Sequence, residues 1–347
     1  MRRLDLEYEL IELSKVPIDL RYSQWHRLLG YSFFATDIDF VEFRDKAPVG
    51  LIETSTPTPR YSTPEDVLRR FLCEMRGFQF DVAWRVAHRL GVTPYAVVYS
   101  NVKAPWLPPM MQFTALKLST FETRQFATED FTDFLVRLPD DSEFFQKKPM
   151  ELAEVVDLAK KRYPAFGKTY PRYESGSSET IWLRNLSDIE TREAKGIPRP
   201  QATGMPPIRP VKGETTGQRD KTYINWRASL PGAWINIDWV EWRKERIADK
   251  LGEPVAIVKT CLLERGAREL TPTDYDAALK RFIDSESRQV ELWKLVSSRL
   301  RVPAFVVVHD SDILWKPDET RLLVYSLDDQ SAVLLSESAY AQWITNL

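Results

Sequence analysis

The chain carries one sequence pattern twice, and this internal repeat constrains its fold more than any other feature. The string WHRLLGYSFFATDIDFVEFR at 25–44 is similar to WRASLPGAWINIDWVEWR at 226–243. Four further blocks follow in the same order in both halves, with only short length changes between them. They pair 48–55 with 254–261, 69–75 with 280–286, 87–100 with 297–310 and 116–138 with 324–347. The sequence therefore predicts two copies of one domain.

The repeat predicts three regions along the chain. Residues 1–138 form the first domain and 221–347 the second, and each copy is long enough for a core of its own. The region 139–220 holds a stretch with helical spacing at 150–163 and a tract dense in Pro, Gly and charge at 196–221. Because that tract has almost no large apolar residues, we expect a flexible or extended linker. A polyproline II ligand for a protein partner is the alternative.

Composition excludes several classes of protein. Lys and Arg total 48 against 50 Asp and Glu, which leaves a net charge of -2 and no overall basic footprint for nucleic acid, although a local basic groove is compatible with it. Two cysteines and three histidines argue against a zinc site. The start of the chain is charged throughout, and no run approaches the roughly 18 apolar residues of a membrane span. These features predict a cytoplasmic protein with no membrane partner.

Each copy shows the pattern of an α/β domain. A short helix around Trp25 or Trp226 leads into an alternating strand, FFATDIDFVEFR in the first copy. A turn and the apolar strand VGLIE follow, and Thr63-Pro64 then starts a helix. The runs YAVVYS and FVVVHD predict buried strands, and a last strand and a closing helix finish each copy. The predicted core is α-β-β-β-α-β with a mixed sheet.

Carboxylates cluster on the first two predicted strands. Asp37 and Asp39 lie two residues apart, so their side chains share a face of the strand. Glu53 ends the next strand of the hairpin. Carboxylates that converge at a sheet edge form a hard-oxygen site suited to Mg²⁺ or Mn²⁺. Such an ion activates water and neutralises charge that develops on a phosphodiester.

The string TDIDFVEFRDKAPVGLIETS resembles the two motif strands of the PD-(D/E)XK nuclease superfamily, and the resemblance extends over both copies. It implies a tandem duplication of a restriction-endonuclease-like core. It also implies that Asp37 or Asp39 is the motif aspartate and Glu53 the acidic residue. In that superfamily the acids hold a divalent ion, here at Asp39 and Glu53, and a lysine orients or activates the attacking water.

Both copies depart from the superfamily pattern. The first copy has Ser55 at the position of the lysine. The second copy has Asn236 in place of Asp37, and Lys259 puts a cation where the first copy has Glu53. The second site is therefore predicted to be a poor metal site. Some members supply the cation from the following helix, and the candidates here are Arg69, Arg70 and Lys103.

Structural roles are the alternative explanation for many of these residues. Asp37 and Asp39 also fit the solvated face of a half-buried strand, and Glu53 the start of a loop. The acid and base pairs that recur in both copies, Glu42 with Arg44 and Glu241 with Arg243, suggest cross-strand ion pairs. The recurring tryptophans suggest core anchors; they are Trp25, Trp84, Trp226 and Trp293. The polar string at 309–312 suggests a turn.

Three functions are compatible with this sequence. The first is a nucleic-acid-interacting protein of two nuclease-like domains, of which at least the second is a catalytically inactive pseudoenzyme. The second is an active magnesium- or manganese-dependent nuclease, a phosphodiesterase that uses Asp37, Asp39 and Glu53. The third is a protein-interaction scaffold of viral or mobile-element origin. No base-reading motif separates DNA from RNA as the partner, and the fold alone does not decide among the three.

Overall fold

The computed structural model describes most of the two repeated regions. The residues described are Tyr22, His26, 33–57, 62–73, 78–102, 110–162, 221–230, 232–245, 250–263, 269–310 and 320–347. Within them, ten strands of a mixed sheet and eight helices form a mixed α/β structure, which confirms the predicted class. The predicted linker tract at 196–221 lies outside the described residues apart from Lys221.

The chain divides into two compact units. The first unit comprises Thr36–Tyr170 and Asp220–Ile237. The second comprises Asp238–Leu347 together with residues from earlier in the chain, among them Tyr22 and His26.

The first unit is built on five strands and five helices. The strands lie in the order β1-β2-β3-β4-β5, antiparallel except for the parallel pair β2–β3. The pair of helices that connects β2 to β3 begins at Thr63, whose hydroxyl accepts the backbone N–H of Asp66, as the sequence predicts. The elements are β1 (Phe33–Arg44), β2 (Ala47–Ser55), α1 (Pro64–Cys73), α2 (Phe78–Leu90), β3 (Thr93–Val102), β4 (Met110–Lys117), β5 (Glu122–Phe126), α3 (Thr128–Val136), α4 (Leu152–Arg162) and α5 (Lys221–Ala228).

The second unit has the same sequence of strand pairings. Its strands lie in the order β6-β7-β8-β9-β10, and β7–β8 is the parallel pair. The elements are β6 (Ala233–Glu245, whose residues up to Ile237 are assigned to the first unit), β7 (Lys250–Leu263), α6 (Pro272–Ser285), α7 (Ser287–Leu300), β8 (Ala304–Asp310), β9 (Arg321–Ser326), β10 (Ala332–Ser336) and α8 (Glu337–Thr345).

Two strands precede the first helix pair, at the positions that the residue pattern predicts, whereas the predicted order α-β-β-β-α-β has three. FFATDIDFVEFR is one unbroken strand, and the turn at Asp45 and Lys46 leads directly into β2. Both turn residues have positive φ, 48° and 64°, as the two-residue turns that suit hairpin twist require. The predicted order α-β-β-β-α-β is thus corrected to β-β-α-α-β-β-β-α. This order runs from β1 to α3 in the first unit and from β6 to α8 in the second.

The core of the first unit extends beyond the predicted boundary at 138. Phe145 is buried among Tyr95, Phe126 and Phe134, and α4 adds the buried Val155. The predicted helix at 150–163 is therefore confirmed as α4, but it belongs to the first unit. The segment after α3 packs onto the core of the first unit because burial of Phe145 removes a large apolar surface from water.

The helix α5, which the repeat assigns to the start of the second copy, packs in the first unit. Tyr223 of α5 lies 4.9 Å from the Phe40 ring and 5.2 Å from the Tyr99 ring, measured between centroids. In the second unit, Tyr22 donates or accepts a 2.6 Å hydrogen bond with Tyr340. The predicted boundaries at 1 and 221 therefore differ from the observed units, because the apolar faces of these helical residues are buried by strands that lie elsewhere in the sequence.

None of the helices in the described part of the chain has the combined length and apolar character that a membrane span needs.

Candidate functional site

The predicted acids Asp39 and Glu53 lie at adjoining positions on β1 and β2. The antiparallel ladder pairs Phe40 with Ile52 and Val41 with Leu51, so its next step sets Asp39 opposite Glu53. Residues opposite each other in such a ladder have Cα atoms about 4.5–5.5 Å apart and side chains on one face. The hairpin therefore places these two carboxylates on the same face of the sheet.

Asp39 is held in place by a threonine that sequence analysis did not single out. Its Oδ2 accepts the backbone N–H of Thr54 at 2.7 Å and the Thr54 hydroxyl at 2.8 Å. Two hydrogen bonds to an ionised oxygen favour the charged carboxylate and fix its orientation. The available signal was the shared threonine in the strings IETS and VKTC.

Glu53 is 3% exposed, and Asp37 is half-buried two residues before Asp39 on β1. Burial of Glu53 corrects its interpretation as the start of a loop, because the residue lies within β2 and pairs with Ala96 of β3. Among the described residues, no group of three or more His, Cys, Asp or Glu side chains is arranged to hold a metal ion. Proteins often hold Mg²⁺ through one or two carboxylates, with water and phosphate as the other ligands, and the register of β1 and β2 sets the carboxylates of Asp39 and Glu53 on one face of the sheet.

The second unit has the same arrangement with one reversed charge. Asp238 Oδ2 accepts the backbone N–H of Thr260 at 2.9 Å and the Thr260 hydroxyl at 2.8 Å. Opposite Asp238, where the first unit has Glu53, Lys259 donates from Nζ to Asp238 Oδ1 at 2.6 Å. The Lys259 ammonium also lies 5.3 Å from the centre of the Trp293 ring. An ion pair with 15% exposure on each side chain thus replaces the pair of acids.

The positions aligned with the superfamily lysine carry no cation in either unit. Ser55 ends β2, and Cys261 lies at the same place on β7. Cys261 lines a cavity of about 430 Å³ with Arg281 and Phe282. Burial raises the pKa of its thiol to about 11, and the nearby Arg281 offsets only part of this rise. The thiol is therefore protonated at neutral pH and does not supply the missing basic group.

The structure describes only some of the candidates for the cation that is missing at Ser55, namely Arg69, Arg70 and Lys103. Arg69 donates to Asp66 at 3.0 Å on an exposed part of α1. The side chain of Arg70 and the whole of Lys103 lie outside the described residues.

The recurring acids Glu42 and Glu241 form the predicted ion pairs with Arg44 and Arg243, but along one strand and not across two. Each arginine approaches the glutamate two residues earlier on its own strand, at 3.7 Å and 3.8 Å. The shorter partners come from helical residues: Arg227 donates to both oxygens of Glu42, at 2.7 Å and 2.5 Å, and His26 Nε2 lies 2.9 Å from Glu241 Oε2. Both glutamates are fully buried, so these pairs anchor structure.

The remaining predictions concern aromatic and polar clusters. Trp293 is 1% exposed and Trp226 packs against the first core, which confirms their role as core anchors. The string at 309–312 was predicted to be a turn, but His309 and Asp310 are buried within β8. Burial lowers the pKa of His309 to about 4, so this histidine is neutral at pH 7. Residues 311 and 312 lie outside the described residues.

No protein-family model, curated protein or solved structure matches this chain. The geometry of the two carboxylate positions therefore carries the functional argument.

Proposed function

We propose that this chain is a nucleic-acid-interacting protein built from two copies of a PD-(D/E)XK-like domain, of which at least the second is a pseudoenzyme. Duplication is supported by the shared order of strand pairings and by the matched contacts of Asp39 with Thr54 and of Asp238 with Thr260. The restriction-endonuclease-like core is part of this proposal.

One observation carries the assignment of the second unit, namely the 2.6 Å pair between Lys259 and Asp238. The ammonium neutralises Asp238 and stands where Glu53 stands in the first unit. A divalent cation brought to Asp238 would meet this positive charge at close range, and repulsion of that kind is strong in a partly buried site. The second unit is therefore not expected to carry out metal-dependent chemistry.

The first unit retains two acids at the corresponding positions. Asp39 and Glu53 would hold a divalent ion through carboxylate oxygens, and such an ion supplies charge neutralisation and an activated water to a bound phosphodiester. Two hydrogen bonds from Thr54 orient the Asp39 carboxylate. This retention favours a second candidate function, an active Mg²⁺- or Mn²⁺-dependent nuclease that uses Asp37, Asp39 and Glu53. Ser55 in place of the superfamily lysine argues for weak or absent catalysis.

Binding is tested with the full chain in gel-shift titrations against single- and double-stranded DNA and RNA of one sequence. We expect a shifted complex whose affinity falls steeply as salt rises, since phosphate contacts release counterions. If no probe shifts at low salt, the nucleic-acid proposal is wrong and the scaffold function replaces it.

The same probes separate binding from catalysis. Incubation with Mn²⁺ and with EDTA tests for cleavage, and Glu53→Gln is the matched variant because it keeps the side-chain shape and removes one charge. Mn²⁺-dependent cleavage that disappears in Glu53→Gln would establish the nuclease. Binding without cleavage is the result that we expect from a pseudoenzyme.

A further inference from the structure

A short segment after α3 covers one corner of the first unit. Tyr95 of β3 and Phe134 of α3 meet edge to face, with ring centroids 5.1 Å apart and planes at 82°. Phe145 packs over this pair, 5.8 Å from each ring. The neighbouring Phe144 lies 5.6 Å from Phe134. As a result, Tyr95 and Phe134 are completely buried.

Two cations hold that segment against the first unit. Arg124 of β5 donates to the backbone carbonyls of Glu143 and Phe144, at 3.1 Å and 2.7 Å. Lys117, at the end of β4, donates to Asp141 at 2.8 Å. The Tyr95 hydroxyl also donates to Asp141, at 2.6 Å. The occupant of this corner is thus a pair of phenylalanines fixed by polar contacts on both sides.

The second unit has the same corner without the cations. Phe305 of β8 and Trp343 of α8 meet edge to face at 4.9 Å and 85°. The strand registers of the two units show which residues correspond. Phe305 lies opposite Ser326 in the second unit, and Tyr95 lies opposite Lys117 in the first. In the same way, Val333 lies opposite Val324, and Arg124 lies opposite Ala115. Ser326 therefore stands at the place of Lys117, and Val333 at the place of Arg124.

This corner is less covered than its counterpart. Phe305, Trp343 and Leu335 are only partly buried, and Val333 is 47% exposed. Val333 lies on β10, the last strand in the hydrogen-bonding order, and β10 has the uncharged sequence AVLLS. An edge strand without charge is ready to meet another polypeptide. The corresponding strand β5 carries Glu122 and Arg124.

We propose that this corner of the second unit, formed by Phe305, Val333, Leu335 and Trp343, binds a segment of a protein partner that presents two adjacent aromatic side chains. The occupant of the matching corner in the first unit is the evidence for that chemistry. In the first unit, Lys117 and the Tyr95 hydroxyl bind the acidic residue of the segment, Asp141. Ser326 and Phe305 stand in their places in the second unit and provide neither a charge nor a phenolic hydroxyl. The partner segment should therefore lack acidic residues. The exposed Asp328 and Asp329 in the adjoining turn favour basic flanks. This proposal is independent of nucleic-acid binding.

The test uses the chain's own sequence as the probe. A fluorescently labelled peptide of residues 139–150 is made with Asp140, Asp141 and Glu143 changed to Asn, Asn and Gln. Fluorescence anisotropy with the full chain should show saturable binding. The unmodified peptide should bind several-fold more weakly, and a peptide with alanine at both Phe144 and Phe145 should not bind.

Two exposed valines provide matched variants of the protein. Val333→Lys should weaken binding about tenfold, and Val333→Thr, which keeps the branched shape, about threefold. Val136→Lys on α3, at a position 51% exposed, should leave binding unchanged. Both valines are too exposed for these changes to unfold the chain.

Three results would overturn the proposal. They are no binding of the neutralised peptide at millimolar concentration, equal losses in Val333→Lys and Val136→Lys, or equal binding of the double-alanine peptide. Concentration-dependent dimerisation that Val333→Lys abolishes, without peptide binding, would identify a second copy of the chain as the occupant instead.

Discussion

The Lys259 ammonium lies 2.6 Å from the Asp238 carboxylate, at the position where the first unit sets Glu53 opposite Asp39. One pair of neighbouring strand positions thus holds an acid and a base in one unit and two acids in the other. Opposite charges across a ladder stabilise a sheet, and Lys259 provides that pairing for Asp238.

The charge reversal can be tested by converting the second unit to the pattern of the first. Lys259→Glu should lower the melting temperature without metal, because it removes an ion pair and adds a like charge. Mn²⁺ should then recover stability by mass action, by about 2.7 kcal/mol at a hundredfold excess over its dissociation constant. Thermal melting with and without Mn²⁺ measures both effects. Lys259→Met is the control; it should be destabilised without any recovery, and an equal metal response would contradict the site.

The buried pair between Arg227 and Glu42 should dominate the docking of α5. Arg227→Met leaves the fully buried Glu42 with the more distant Arg44, and breaking such pairs costs about 3–5 kcal/mol. The free energy of unfolding of the first unit, measured in urea, gives this loss. Combining it with Glu42→Leu should recover most of the stability, because no buried charge then remains. A double variant as unstable as Arg227→Met alone would show that the helix depends on other contacts.

Sequence patterns located the strands and the carboxylates but not the partners of the buried charges. The period-two string around Asp39 and the cap at Thr63 are local signals, so β1, β2 and α1 were predicted where they occur. Arg227 and Glu42 are 185 residues apart, and no local pattern links them. The repeat itself suggested that each helix stays with its own copy. Burial of Tyr223 against Phe40 overrides that expectation.

The core of the first unit also extends past residue 138, for a reason that the sequence does not reveal. The string PDDSEFFQKKPM at 139–150 is mostly polar. Only the fold shows that Phe145 enters a core and that Asp141 reaches Lys117. A segment can therefore look like a linker and still complete a domain.

Truncation of Phe145 tests that extension of the first unit. Phe145→Ala should destabilise the first unit by about 3–5 kcal/mol, the usual cost of removing a buried phenylalanine. Phe144→Ala is the matched control, and its cost should be smaller because Phe144 is only partly buried. Urea unfolding followed by circular dichroism measures both. Costs below 1 kcal/mol for Phe145→Ala would place the segment outside the core.

His309 should make the second unit sensitive to acid. Burial is the main cause that lowers the pKa of His309 to about 4, against about 6.5 in an unfolded chain, while the backbone carbonyl of Asp310 and the charge of Asp238 partly oppose it. Between these two pKa values the unfolded chain binds more protons than the folded one. Stability is therefore fully present above pH 6.5 and is lost as the pH falls toward 4.

The expected loss is about 3 kcal/mol over that window, since each pH unit between the two values is worth about 1.4 kcal/mol. Urea unfolding of the wild-type chain and of His309→Phe at intervals from pH 7.5 to 4 measures it. Phenylalanine keeps an aromatic ring beside Tyr22, whose centroid lies 5.3 Å from that of His309, and removes the titrating group. Other carboxylates contribute to both curves, so the difference between the curves isolates His309. That difference should open below pH 6.5 and level off near pH 4. Parallel curves throughout would mean that His309 is protonated in the fold as readily as in the unfolded chain.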